Sequence, residues 1–397
     1  MRAAIELTTA GESHGPAVTA ILTGIPAGLA VSADAIDADL ARRQVGYGRG
    51  GRMAIERDRA QVTAGLRHGR TLGSPVCLVI ENRDWDNWRE EMSPHAAPAG
   101  WRSDRQVRVP RPGHADLAGG AKFAHADMRN VLERASARET AARVAGGAIC
   151  RALLGALGVR VCSRTIAIGG VDGGSFDGSE GAREAVEASD VRCADESAAT
   201  AMRARIDQAR AEGDSLGGTV EVVAEGVPPG LGSHVAWDER LDGRIAQAMM
   251  SIPAIKAVEI GAGAADATLP GSQVHDPILP GPGDWPFVRP SNQAGGIEGG
   301  MTNGEPVVVR LAMKPIPTLT RPLASVDVTT AEATDAHAER SDVCAVPAAG
   351  IVGEAMLALV LASAAREKFG GDCLDDLLAA HRAYLARLRL PWREAAP

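Results

Sequence analysis

The chain has 397 residues, 45% of them hydrophobic, with 42 basic and 50 acidic side chains giving a formal net charge of −8 and a pI near 5.7. That length allows a large buried core and a prior of two or three domains, although large single domains exist. With no basic tail or cationic run, the acidic balance gives no bulk electrostatic support for binding nucleic acid or a membrane surface, so any anion must be held locally.

Four of the basic residues are lysines (Lys122, Lys256, Lys314 and Lys368). Abundant Arg is therefore compositional, and a Lys kept against that drift is the more informative residue. The six cysteines (77, 150, 162, 193, 344 and 373) are scattered with no Cys-x-x-Cys. They read as reduced core thiols, and neither a disulfide framework nor a metal site is expected. The N-terminus lacks the apolar run of a signal peptide, and the apolar stretch Ala348 to Ala365 contains Glu354 and is short for a span. It reads as a buried helix, and the expected location is cytoplasmic.

In chain order, residues 4–10 read as a strand, and Gly11-Glu-Ser-His-Gly15 turns into a second β-rich run after Pro16. His14, in that Gly-flanked turn, is an acid/base candidate or a histidine that only hydrogen-bonds backbone. Gly11-x-Ser13-x-Gly15 and Gly213-x-Ser215-x-Gly217 both match a hydrolase nucleophile elbow, but an elbow needs a helix after the Ser, and a strand follows each. Ser32 caps a helix ending in Arg42 and Arg43, which runs into a Gly-rich loop bearing Arg49 and Arg52. Gly46-x-Gly48-x-x-Gly51 follows a helix rather than a strand, so no dinucleotide fold is expected there. The loop suits phosphate or carboxylate groups, or is simply a flexible surface loop. Strands follow near 61–66 and 76–80, then a Trp-rich polar loop that covers a site or an interface.

From Arg111 to Gly147 a Pro/Gly turn carrying Arg111 and His114 leads into helical spacing, with Met128, Val131, Leu132 and Ala135 at i, i+3, i+4 and i+7. On one continuous helix Arg134 and Arg138 share a face, with Asp127 at the start as a cap. Either Glu133 and Glu139 answer the two guanidiniums along the helix, or an anionic ligand does. Beside Arg111 and the titratable His114, the cluster suits an anionic substrate that exchanges a proton.

Farther on, strands are expected at 159–169 and 218–227 around a helical region at 178–213. A helix is expected at Leu241 to Met250, a turn into a strand at 252–261, and a long loop at 280–304. A strand through 307–311 precedes Lys314-Pro-Ile-Pro-Thr318. Asp342 pairs with Arg340 or caps the apolar helix that Pro347 opens and Gly370-Gly371 closes. With no repeats and no linker, residues 1–397 read as one intertwined α+β domain.

Seven stretches together resemble the chorismate synthase family: Gly-Glu-Ser-His-Gly at 11–15, Arg-Arg-Gln-Val-Gly-Tyr-Gly-Arg-Gly-Gly-Arg-Met at 42–53, Arg-Pro-Gly-His-Ala-Asp at 111–116, Glu-Arg-Ala-Ser-Ala-Arg-Glu-Thr at 133–140, Gly-Gly-Met-Thr-Asn-Gly at 299–304, Lys-Pro-Ile-Pro-Thr at 314–318, and Arg-Ser-Asp-Val-Cys-Ala-Val-Pro-Ala-Ala-Gly at 340–350. The match runs in order over nearly the whole chain. The resemblance implies a lyase that converts 5-enolpyruvylshikimate 3-phosphate to chorismate and phosphate by 1,4-anti elimination, using reduced FMN without net oxidation. It also implies a helical layer sandwiched between antiparallel sheets, and a homotetramer. By the same resemblance Ser13, Arg43, Arg49, Arg52, Arg111 and Arg138 bind substrate, with Arg43 and Arg49 assigned alternatively to NADPH. His14 protonates the departing phosphate, His114 sits at the flavin N1/C2 carbonyl edge, and Asp342 manages the proton on flavin N5. FMN is assigned to Arg134, Ala135, Ser136, Pro253, Ala254, Gly299, Lys314, Pro315, Ile316, Pro317, Thr318 and Arg340; at the position of Pro253 relatives often hold a polar residue. Lacking a large insertion, the chain resembles the monofunctional bacterial type, which relies on an external flavin reductase. The competing classes are a flavoprotein that binds without eliminating, and a serine hydrolase.

Overall fold

The computed structural model describes residues 4–50, 57–281, 285–336 and 342–388; Arg52 and Arg340 lie outside them. The first sheet is antiparallel, ordered β1 (Glu6–Gly11), β2 (Ala17–Thr23), β4 (Val76–Glu81), β3 (Ala60–Ala64). Its two central strands, β2 and β4, alternate in burial. Val18, Ala20 and Leu22 of β2 stand opposite Ile80, Leu78 and Val76 of β4, all buried, whereas Ile21 faces out. A one-residue slip would turn that apolar set to solvent, so the register is fixed by burial.

The second sheet takes its strands from the rest of the chain. Its order is β8 (Ile255–Ile260), β9 (Val307–Met313), β7 (Gly218–Glu225), β5 (Arg160–Ile168), β6 (Val171–Asp172), again antiparallel. Val309 pairs with Val222 and Leu311 with Val220, which puts a second apolar face inward.

Besides a single turn at Gly271–Val274, the helices of the described residues are α1 (Ala33–Gln44), α2 (Asp116–Phe123), α3 (Arg129–Leu132), α4 (Thr140–Ala156), α5 (Glu180–Ala188), α6 (Glu196–Glu212), α7 (Leu241–Met250), α8 (Val346–Phe369) and α9 (Leu374–Leu388). Helices α1 and α4 pack on the first sheet, α7 and α8 on the second, and α4 lies against α8. This is the expected helical layer between antiparallel sheets. By length and composition α8 could cross a bilayer, yet 94% of its apolar window is buried inside the protein. A helix that is apolar all round belongs in a core.

The layers close on small residues. A Cβ on Gly147 of α4 would overlap the Ala355 side chain of α8 and lie 2.6 Å from its Cα, and one on Gly353 would lie 2.8 Å from Val222 of β7. The charge inside α8 is compensated: Glu354, 1% exposed, takes Arg42 Nη1 and Nη2 at 2.8 and 2.9 Å and the Ser163 hydroxyl at 2.7 Å.

Two expectations fail locally. The continuous helix from Met128 does not form, because α3 ends at Leu132 and Ser136 is extended at φ −76°, ψ 148° before α4 begins. The Ser136 hydroxyl accepts from Arg138 N–H, a local cap that competes with helix continuation. The stretch 280–304 is not featureless either; Leu279–Pro280 pairs with Phe287–Val288, and Ile297–Glu298 with Met301–Thr302.

Gly147→Ala should lower unfolding stability by about 1–3 kcal/mol, the usual cost of overpacking, even though Ala favours helix. A urea midpoint equal to that of the wild type would show that α4 and α8 can separate freely.

Candidate active site

The turn between β1 and β2 presents Ser13 and His14. Gly11, at φ 107°, makes it tight, since a Cβ there would overlap the Ala17 carbonyl. Asn82, just past β4, donates its side-chain N–H to Ser13 O (2.9 Å) and Gly15 O (3.0 Å) and pins the turn. Glu133, just past α3, completes it. Its carbonyl accepts from Ser13 N (2.9 Å) and its carboxylate accepts from His14 N (2.8 Å). His14 Nδ1 lies 2.9 and 3.0 Å from the two carboxylate oxygens. The imidazole stacks on Trp88 at 3.9 Å between centroids, and the guanidiniums of Arg105 and Arg129 sit 4.0 and 5.0 Å from the same indole. Burial works to raise the Glu133 pKa, but hydrogen bonds from His14 and Arg129 outweigh it and hold it below the usual value.

The break after α3 sends the two arginines of that stretch apart. Arg134 donates to Thr9 O (3.0 Å) and Gly11 O (3.2 Å) along β1. Arg138 turns inward to Asp58 and to Glu81 O (3.0 Å). Ser136 donates to the Ser13 hydroxyl at 3.1 Å, so the predicted FMN and substrate segments meet there. Arg43, in the last turn of α1, donates to the Thr140 hydroxyl (2.9 Å), Ala137 O (2.9 Å) and Asp58 (3.4 Å). Buried Asp58 is thus shared by two guanidiniums.

A second cluster forms at the start of α2. Asp116, fully buried, accepts from Arg111 Nε (2.9 Å) and lies 2.5 Å from His114 Nδ1. Burial pushes its pKa up, and the hydrogen bonds from His114 and Arg111 overcome that and hold it well below the carboxylate range. Arg111 Nη1 donates to the Thr318 hydroxyl (3.2 Å), and Lys314 donates its ammonium to Gly113 O and its backbone N–H to Ala254 O (3.0 Å). Ala254 sits at φ 68°, the left-handed region that few L-residues adopt. The segments at 111–114, 254 and 314–318 are therefore one unit.

A third cluster adjoins it. Asp342 accepts from Arg49 Nη1 (2.8 Å) and Gly50 N (2.7 Å). Gly48 O accepts from Val343 N (2.7 Å), while Leu216 N donates to Val343 O and Ser215 Oγ to Ile316 O (2.6 Å). Buried and spent on that carbonyl, Ser215 is no nucleophile. Gly299 is not drawn to this unit by any of these bonds. Its neighbour Gly300 accepts from Leu241 N at the start of α7, whereas Pro253 and Ala254 follow the end of α7, roughly 15 Å of helix away.

The comparisons with known proteins agree. A sequence model of the family described as chorismate synthase matches residues 5–365. The chain belongs to the chorismate synthase family. It is 58% identical to the chorismate synthase of Desulforudis audaxviator, over 96% of this chain and 97% of that one. To that of Moorella thermoacetica it is 57% identical, over 96% and 99%. A solved chorismate synthase crystal structure superposes with a TM-score of 0.79 at 42% identity, covering 98% of this chain and 99% of its own. The chain is a carbon–oxygen lyase, and its reaction is the one that chorismate synthases catalyse, elimination of phosphate from 5-enolpyruvylshikimate 3-phosphate.

Among the residues of this site given no functional role in the sequence reading are Asn82, Asp58, Trp88, Asp116, Arg129 and Glu133. Trp88 lay in the flagged Trp-rich loop and Asp116 two residues past His114. Glu133 was weighed only as a helical partner for the arginines; its side chain goes instead to His14 and Arg129. Asp58 had no local signal, because Arg138 lies 80 residues away.

Because the Asp116 pKa is depressed in the folded state, its stabilising contribution is complete above the unfolded value of about 3.9 and is lost as pH falls through the folded one. The stability gap between wild type and Asp116→Asn should therefore be widest at pH 5 to 7 and narrow below about pH 4, read by denaturant titration at each pH. A gap independent of pH would contradict an ionised Asp116.

Proposed function

We propose that the three clusters form one site for 5-enolpyruvylshikimate 3-phosphate, and that the chain folds as one domain. The observation that carries the reading is the pairing of two imidazoles with a set of arginines, each already facing a carboxylate. The substrate bears two carboxylates and a phosphate, and planar guanidiniums match these anions bidentately. Arg43, Arg49, Arg111 and Arg138, with Ser13, would receive it, and Arg52 is assigned with them. Arg43 shares Asp58 with Arg138, and Arg49 pairs with Asp342, which favours substrate over NADPH for both.

Catalysis by the two histidines uses the ring nitrogen that the carboxylate does not hold. His14, bound at Nδ1 to Glu133, has Nε2 to donate a proton to the phosphate as its C–O bond breaks. His114, bound at Nδ1 to Asp116, has Nε2 to share a proton with the polar edge of the cofactor. Asp342 handles the proton that leaves the substrate carbon as the new double bond forms. Atoms balance as chorismate and phosphate.

The donor set also fits a flavin phosphate and ring. Lys314 and Arg134 supply cations, and Ser136 and Thr318 supply hydroxyls, with Ala135, Pro315, Ile316, Pro317 and Arg340 assigned alongside. Ala254 has its backbone in the left-handed region, and nothing lies within 4 Å of where a Cβ on Gly299 would be. Pro253 has no N–H, so contact on that side rests on Ala254. Reduced FMN, when bound, supplies electron density that assists C–O cleavage and is recovered, so no net redox change results. An external flavin reductase, drawing on NADPH, would supply it. A cytoplasmic homotetramer completes the reading, supported by large apolar side chains left exposed on one chain, Trp237 at 86% and Val235 at 80%.

Under anaerobic conditions, enzyme, substrate and chemically reduced FMN should release phosphate and chorismate in equal amounts, with neither product from oxidised FMN. Binding of substrate and flavin without product would instead mark an inactive binder. His114→Ala should lower kcat by about 100- to 10,000-fold, the usual range for general acid–base groups, and change FMN affinity far less. Equal losses in both would remove its catalytic role.

A further inference from the structure

Both imidazoles of the proposed site are held in the same way. In each, Nδ1 meets a buried carboxylate, and an arginine braces that carboxylate: Arg129–Glu133–His14, with the bracing contact at 3.0 Å, and Arg111–Asp116–His114, with it at 2.9 Å. An ionised carboxylate only accepts, so Nδ1 must carry the hydrogen in each pair. At His114 the Arg111 Nη2 also lies 3.1 Å from Nδ1, but Asp116 at 2.5 Å is the closer partner, and Arg111 reaches Asp116 Oδ1 instead, at 3.2 Å. Depressed pKa values keep both carboxylates ionised.

We infer that Glu133 and Asp116 are positioning residues that fix the Nδ1–H tautomer and the ring orientation of His14 and His114, so that Nε2 is the proton-exchanging atom in both. This rests on the proton-transfer roles given to the two histidines above. Once His14 has given up its Nε2 proton, the neutral ring left behind is the tautomer that Glu133 holds. Trp88 closes off ring rotation by stacking at 3.9 Å. Glu133 is the cleaner test, because Asp116 also braces Arg111, and its loss would disturb substrate binding as well.

The experiment is a double-mutant cycle on the FMN-loaded enzyme with Glu133→Ala, Glu133→Gln, His14→Ala and Glu133→Ala/His14→Ala, combined with nitrogen NMR of the His14 ring. Glu133→Ala should lower kcat by about 10- to 1,000-fold, within the full acid–base contribution, with little change in KM. The double variant should be no slower than His14→Ala alone, since groups acting as a unit are not additive. Glu133→Gln keeps a carbonyl acceptor for His14 and Arg129, so it should fold like the wild type and lose less activity than Glu133→Ala. In the wild type the neutral ring should carry its hydrogen on Nδ1, and in Glu133→Ala it should shift toward Nε2. Multiplied losses in the double variant, or an Nε2–H ring in the wild type, overturn the positioning role while leaving His14 catalytic. Wild-type turnover in His14→Ala would overturn the role of His14 itself, and this inference with it.

Discussion

The constraint on which the rest depends is the charge inside the central helix. Helix α8 is buried on all sides between α4 and the second sheet, yet it carries Glu354, and a buried carboxylate is tolerated only when paired and hydrogen-bonded. The partners come from each surrounding layer: Arg42 from α1, Arg151 from α4 at 3.3 Å, Ser163 from β5 and Arg192 at 3.4 Å. One side chain therefore ties the second sheet and three helices into a single arrangement. It also orients α1. Successive residues on a helix point about 100° apart, so with Arg42 committed to Glu354, Arg43 is carried round to Thr140 and Asp58. The core and the site are set by neighbouring arginines of one helical turn.

The same logic of paired burial runs through the site. The guanidiniums of Arg43, Arg49, Arg111 and Arg138 are packed against carboxylates that fix them before any substrate arrives. Truncating one partner of such a buried pair typically costs more than the pair itself is worth, because a charge is left without an answer. The benefit is orientation. A guanidinium locked on two or three acceptors loses little further freedom when an anion binds, so more of the contact energy goes into holding the substrate.

Much of this was legible, and the reasons for the gaps are physical. Helices α1 and α8 were readable because a Ser32 cap opens the first and Pro347 and Gly370 bound the second. The sheets were readable because each buries one face. His14, Arg111 and His114 stood out in the sequence as candidates and the site role of Ser13 came from the family resemblance, but the distant residues they meet were not written in any local pattern. His14 meets a residue 119 positions away and Arg111 one 207 away. Glu133 was hidden for the same reason. A carboxylate that answers a histidine across the fold looks in sequence like any solvated Glu or Asp.

The failed helix between α3 and α4 shows what such a gap conceals. A continuous helix from Met128 would have stacked Arg134 and Arg138 on one face, repelling each other. Ser136 breaks it, spending its hydroxyl on the Arg138 N–H and on Ser13. The break redirects three neighbours at once: Glu133 to the His14 ring, Arg134 to the β1 backbone, and Arg138 to Asp58 and the end of β4. Helix propensity at these residues is a matter of tenths of a kcal/mol, roughly 0.7 kcal/mol at most for ordinary residues. One buried charge-assisted hydrogen bond is worth about 1.5–3 kcal/mol. Tertiary pairing therefore wins over local periodicity here, and the functional arrangement exists because it does.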